Sequence, residues 1–283
     1  MTKISFITDS TAYLEKEYVE KHPVRVIPLN LHWNESTYKD NVDITADEFY
    51  KRLEKSETLP STSQPSAGEF LEVYKEAAKD ADVLIVPLIS SGISGTVDSA
   101  LMAAKEFTDV PVHVIDSKVT SAGLALLVKA LVESAEKGAS VDDLLQLAEK
   151  IIKDVKIYFV LDTLKYLHKG GRIGGAAAFL GSALDLKLIL YLTEDGKIDA
   201  LEKVRTRKKA VKRLIELAEE KAGEKPAHVG IIHAQVEDEA KTLQQELKEK
   251  LDTAESGIYV ISPVIGTHAG PGALAVAIHT IEY

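Results

Sequence analysis

VLIVPLISSGISGTVDSALMAAKEF, residues 83–107, changes its period half-way along. Val83 to Leu88 is an unbroken apolar run, and such a short run bounded by turn formers predicts a strand buried on both faces, as parallel sheets require. Small hydroxyl residues and glycines follow. From Val97 onward, Val97, Ala100, Leu101, Ala104 and Phe107 recur at helical spacing and predict one apolar stripe. Strand, Ser/Gly turn, helix is the unit from which α/β folds are built, and the neighbouring sequence repeats it. Strand patterns at Ile4 to Ile7, Val24 to Leu31 and Val112 to Ile115, and a helix pattern over Leu124 to Ala135, complete a mostly parallel first half.

The second half opens its own pattern with Lys156 to Leu161, then a helix ending at the glycines of HKGGRIGG. Leu186 to Thr193 and Lys197 to Val204 flank Glu194-Asp195-Gly196, a hairpin signal with glycine at the tight position. Helix Lys208 to Lys221, strand His228 to Ile232, helix Asp238 to Leu251 and strand Ile258 to Ile261 follow, so this sheet is mixed. The expected organisation is two α/β domains, 1–154 and 155–283. No repeat and no low-complexity tract interrupts them.

Composition narrows the chemistry. The 283 residues are 45% hydrophobic, enough for a substantial core, and contain no cysteine. Disulfides, thiolate catalysis, iron–sulfur clusters and cysteine-based zinc sites are excluded. The net charge of −10 opposes nucleic-acid binding, which needs a basic face. RTRKKAVKR at 205–213 is the one basic cluster, read as a solvated helix start or a docking patch. Ala176 to Leu192 is broken by Ser182, Asp185 and Lys187, so no transmembrane segment is expected. The N-terminus lacks the form of a signal peptide, and a cytoplasmic protein is the expectation.

Ligands of open α/β sheets sit beyond the carboxyl ends of the strands. There the sequence places Thr8-Asp9-Ser10-Thr11, Ser90 through Thr96 and Asp116-Ser117; a fourth hydroxyl-rich loop, Pro60 to Ser66, precedes a helix beginning near Ala67. Each hydroxyl can serve as a helix cap, but one cap uses one hydroxyl and these loops carry several. A nucleophile elbow is not met, because Thr96 stands where G-x-S-x-G needs its last glycine. A serine hydrolase built on Ser94, with His268 and either Asp9 or Asp116 behind it, stays open. No P-loop is present, and GGRIGG follows a helical stretch and does not fit G-x-G-x-x-G, so no nucleotide cofactor is expected. No metal spacing is found, and His233 reads as a partly buried strand-end residue. Glycines and Ser94 at a helix start suit a carboxylate or phosphate. In GGRIGG, glycines let backbone approach a ligand while Arg172 supplies a forked charge; a helix C-cap with a surface arginine is the alternative. His268 lies in GTHAGPG, read as a rigid turn after a strand.

Taken together, FITDST (6–11), TSQPS (62–66), SSGISGT (90–96), VIDS (114–117), LKYLHKGGRIGG (164–175), LDLKLIL (184–190) with its DGKI hairpin and GTHAGPGA (266–273) resemble the DegV family of bacterial fatty-acid-binding proteins, which includes the acyl-binding subunit of fatty acid kinase. The resemblance spans essentially the whole chain. The last motif departs by continuing as ALAVA, where glycine is commoner after the leucine. The resemblance implies two α/β domains with a long-chain fatty acid such as palmitate or oleate buried between and within them. It places the carboxylate-binding loops in 1–154, and the acyl-tail pocket with the GGRIGG and GTHAGPG loops in 155–283. It implies carboxylate binding by Thr62, Ser94 and Gly95, and phosphoryl-transfer support or kinase docking by Arg172 and His268, with Asp9, Ser10, Ser63 and Ala269 as lesser candidates. The chain itself is then a carrier with no cofactor and no catalytic residue. Its implied partners are an ATP-dependent fatty acid kinase and a downstream acyltransferase of phospholipid synthesis. A transport or sensing protein without a kinase is the next reading, and the hydrolase the third. The apolar run Ala176 to Gly181 is a candidate for room around the tail, or plain core.

Overall fold

The computed structural model describes residues 2–180 and 186–283; Gly181, Ser182, Ala183, Leu184 and Asp185, on which parts of two sequence readings rest, lie outside the described residues. The elements run β1 (Ile4–Asp9), α1 (Lys16–Lys21), β2 (Val24–Ile27), β3 (Asn30–Trp33), β4 (Ser36–Lys39), α2 (Ala46–Lys55), β5 (Ser61–Ser63), α3 (Ala67–Ala78), β6 (Val83–Leu88), α4 (Thr96–Glu106), β7 (Val112–Asp116), α5 (Ser121–Glu136) and α6 (Val141–Asp154). Then come β8 (Lys156–Val160), α7 (Lys165–Lys169), β9 (Lys187–Leu192), β10 (Ile198–Val204), α8 (Arg207–Ala222), β11 (Ala227–His233), α9 (Glu237–Lys250), β12 (Thr253–Val260), α10 (Pro263–Ala269) and β13 (Leu274–His279).

Three sheets form. Strands β2, β1, β6 and β7, in that order, make a parallel sheet, and β10, β9, β8, β13, β11 and β12 make a mixed one. The fold class is thus the α/β arrangement expected. The third sheet, antiparallel β4-β3-β5, is an insertion that periodicity did not separate. Val24 to Leu31 reads as one strand, but Pro28, which cannot donate to a ladder, divides it into β2 and β3. The TSQPS loop likewise begins as β5, paired with β3 at Leu31↔Thr62. Leu101 is 44% exposed, outside the stripe assigned to it, while Val97, Ala100 and Phe107 are buried.

Local signals fix the helix starts. Thr45/Glu48, Ser66/Glu69 and Ser140/Asp143 form capping boxes at α2, α3 and α6, satisfying backbone donors at both ends of each pair. The basic cluster starts α8, capped by Thr206; Arg207 pairs with Glu239 and Asp162, and Arg213 with Glu202, Glu216 and Glu220.

The parallel sheet comes entirely from residues before Asp154 and the mixed sheet entirely from residues after it. Helix α5 lies between them. A Cβ on Gly230 of β11 would fall 2.3 Å from Ala122 Cβ, and one on Gly123 would fall 2.8 Å from Ile157 Cδ1 of β8, so glycine sets the depth of packing on both partners. Phe6 and Ile85 of the parallel sheet share one continuous core with Ile157, Ile232 and Ala277 of the mixed sheet.

Candidate functional site

In the parallel sheet the chain steps from β1 to β2 on one side and then crosses to β6 on the other, so β1 and β6 flank the point where strand order reverses. Loops leaving such strands diverge and open a crevice. The loop after β6 is the Ser/Gly stretch. Ser90 shapes it: its carbonyl accepts the Ile93 and Ser94 N–H groups at 3.2 and 3.1 Å, and its hydroxyl donates to Gly196 O at 2.9 Å. Gly196 and Gly92 bring this loop and the β9–β10 hairpin into backbone contact, since a Cβ on Gly92 would lie 2.5 Å from Gly196 O. Gly95 caps α4 without any side-chain cap, and Ser94 Oγ lies 2.8 Å from Thr96 Oγ1.

Thr62 arrives from β5 of the inserted sheet, and its Oγ1 is 2.8 Å from His268 Nε2. His268 sits in the last turn of α10; the GTHAGPG segment is therefore helical through Ala269 and turns only at Gly270, whose φ is 74°. The sequence reading of a turn was misled by flanking glycines, whereas Pro263 at the first helical position is a helix-start signal. Burial, aided by the Arg172 charge, holds His268 down at about 4, so the ring is neutral at pH 7. Its Nδ1 is buried without a partner and lies against Gly170, where a Cβ would fall 2.1 Å away. In the tautomer that carries its proton on Nε2, the ring donates to Thr62 Oγ1 and leaves the Thr62 hydroxyl proton for a ligand oxygen. Arg172 follows α7. Its Nε donates to Ile93 O at 3.2 Å and its Nη1 to Gly170 O at 2.8 Å, joining the second half to the Ser/Gly loop.

Thr62, Ser94, Arg172 and His268 all line one cavity with an empty volume of about 840 Å3, its open mouth included. The remaining wall is overwhelmingly apolar and drawn from both halves: Ile89 after β6, Ile157 and Phe159 of β8, Leu192 of β9, Ile232 of β11 and Ala275 of β13. Both 1–154 and 155–283 thus supply wall to this cavity. Ala176 is buried and residues 176–180 do not line it, so the candidate run is not part of its described wall.

The lesser candidates divide. Ala269 lines the cavity, whereas Ser63 Oγ is bonded to His32 Nε2 and Asn30 Nδ2. Asp9 and Ser10 do not line it. Asp9 accepts from Thr11 N–H, Thr11 Oγ1 and Ile89 N–H, while Ser10 Oγ donates to Asp40. Asp116 is bonded to Ser91 and Lys118. Neither Asp9 nor Asp116 stands behind His268, and Ser94 is not bonded to that ring, so the serine triad is not assembled. Thr120 and Ser121, at the start of α5, line the cavity and were missed; the signal was a further hydroxyl pair, SKVTSAG, after the β7 strand. Thr120 makes no cap bond, and its Oγ1 is buried without a partner. Among the described residues no cluster of His, Cys, Asp or Glu could hold a metal, and no helix is long and apolar enough to cross a membrane.

The profile described as "Uncharacterised protein, DegV family" matches residues 3–280. The chain belongs to the DegV family. It is 38% identical to Protein DegV of Bacillus subtilis over 275 residues, covering 96% of this chain and 98% of that one. Among solved structures, a DegV family protein from Thermus thermophilus, described by its fatty acid binding, superposes with a TM-score of 0.94 at 35% identity, covering 99% of this chain and 100% of the other. Bacillus subtilis DegV, described as a fatty acid binding protein, superposes at 0.92 and 37% identity, covering 99% and 100%.

Proposed function

We propose that this DegV-family chain binds a long-chain fatty acid, its carboxylate held by Thr62, Ser94 and the Gly95 N–H, and presents that carboxylate to a separate ATP-dependent kinase. The acyl phosphate so formed would feed an acyltransferase of phospholipid synthesis in the cytoplasm. The observation that carries the reading is the cavity: apolar wall from both halves, with Thr62, Ser94, Arg172 and His268 gathered in it. Removing some 14 to 16 methylenes from water is worth about 11–13 kcal/mol before ordering costs, at ~0.8 kcal/mol each. A carboxylate cannot follow the tail out of water without donors. Thr62 and Ser94 are neutral donors, which leave a carboxylate oxygen more nucleophilic than a bidentate arginine would. Arg172 is the cation suited to an arriving phosphoryl group. His268, neutral and bonded to Thr62, fits orientation of the donor better than direct phosphate binding.

Denaturing extraction of the purified protein followed by mass spectrometry tests the ligand class. One long-chain fatty acid per chain is expected. An empty extract with no uptake of palmitate or oleate overturns it. Supplying a fatty acid kinase and ATP then tests the carrier role: acyl phosphate should form with the parent chain and fail with Arg172→Ala, which should still retain the acid. No product from a loaded parent chain would leave a transport or sensing protein.

A further inference from the structure

Helix α10 carries His268, yet its own start is poorly furnished: Ser262 at the N-cap makes no side-chain cap bond. The acceptor comes from far away in sequence. Asp40, buried just after β4, accepts the Val264 N–H on Oδ1 at 3.1 Å. Its Oδ2 accepts from Ser10 Oγ at 2.7 Å, and Ser10 Oγ in turn accepts the Leu29 N–H at 3.2 Å. One carboxylate thus joins the end of β1, the entry to β3 and the first turn of α10. Further along the helix, Gly266 rests on the rings of Phe49 and Tyr50 of α2, where a Cβ would lie 2.6 Å from Tyr50 Oη. The inserted segment therefore grips α10 at its start and middle before Thr62 meets His268 near its end.

We propose that Asp40 is a positioning residue for the head-group donors: by pinning the first turn of α10 to the end of β1, it sets where His268 meets Thr62. The proposal rests on the fatty-acid reading of the cavity for its ligand but not for its geometry. Buried carboxylates are costly, and this one is kept for the donors it organises. Burial, reinforced by the nearby Asp9 charge, pushes Asp40 up to about 6, with Ser10 and Val264 working against the rise. Tyr13 and Tyr50 are the other titratable groups around it, and burial drives both far above neutral pH. Above about 6 both Asp40 oxygens accept; below it one becomes a donor and the pin is incomplete.

The test compares the parent chain with Asp40→Asn and Asp40→Ala, using hexadecanesulfonate, whose charge does not change with pH. The parent chain should bind it more tightly at pH 7 than at pH 5. Asp40→Asn should bind roughly tenfold more weakly at pH 7 and lose that pH dependence. In ligand-free protein, NMR of the His268 ring should show its pKa rising from about 4 toward the ordinary value in both variants. Parent-like affinity, pH profile and His268 titration in Asp40→Asn would overturn the proposal, and this variant decides even if Asp40→Ala does not fold. A parent chain that takes up no sixteen-carbon anion would sink the fatty-acid reading, leaving the ring titration to judge Asp40 alone.

Discussion

The loops after β1 and β6 look alike in sequence, each packed with small hydroxyl residues beyond a parallel strand, yet they do different work. In the first, Thr8, Asp9, Ser10 and Thr11 are buried, and both Asp9 oxygens are taken by protein donors. In the second, Ser94 faces a cavity with its hydroxyl bonded, among the described residues, to the neighbouring Thr96, and Gly95 opens α4 without a side-chain cap bond. A hydroxyl whose partners are all internal builds the scaffold; one left facing a cavity is available to a ligand. Buried polar groups without partners are costly, so the difference is a property of the whole site rather than of residue type.

The comparison breaks most visibly at Asp9. Asp9→Ala strands three buried donors, and denaturant unfolding should report a loss of about 3 kcal/mol or more. A loss under ~1 kcal/mol would mean that the first loop is not scaffold. Next is Gly170→Ala, whose methyl would enter the space of His268 Nδ1; overpacking of this kind costs about 2 kcal/mol, and acyl-anion affinity should fall with stability. Unchanged affinity would show that the ring can move without consequence.

A third effect is read against pH. Because the folded protein holds His268 below its ordinary value, the unfolded chain takes up that proton first, and stability declines as pH falls from about 7 to 4. Asp40, raised instead, has the opposite sign between its ordinary value and about 6. His268→Gln should therefore flatten the acid-side decline by about 1–2 kcal/mol across that window. A parent-like profile would count against a neutral buried ring. The smallest stability effect belongs to Ser94→Ala, within ~0.5 kcal/mol of the parent, accompanied by a roughly tenfold loss of palmitate affinity. Were affinity unchanged, the second loop would be scaffold too.

Most of the architecture was legible because buried parallel strands and amphipathic helices announce themselves by period. The inserted β3-β4-β5 sheet was not, since its strands are three or four residues long and one of them, β5, is wholly the polar STS. Ser94, Arg172 and His268 stood out through strand ends and glycine spacing, Thr62 was singled out by the family resemblance, and the fold gathers all four in one cavity. Asp40 left no trace in the sequence. Its two partners in the pin lie 30 and 224 positions away, and no local pattern encodes a bond over such separations.

Helix α5 has a consequence for how the chain is made. Twelve of its sixteen residues are buried, and the cover on one side comes from β11 and β13, which begin only at Ala227 and Leu274. A nascent chain that has emerged through α6 has its parallel sheet but still shows an almost wholly apolar helix to solvent. Folding of the first half is therefore not complete until the last strand leaves the ribosome, and the interval is one in which a holding chaperone would find a ready target. In the finished protein the same dependence should join both sheets into one cooperative unfolding step.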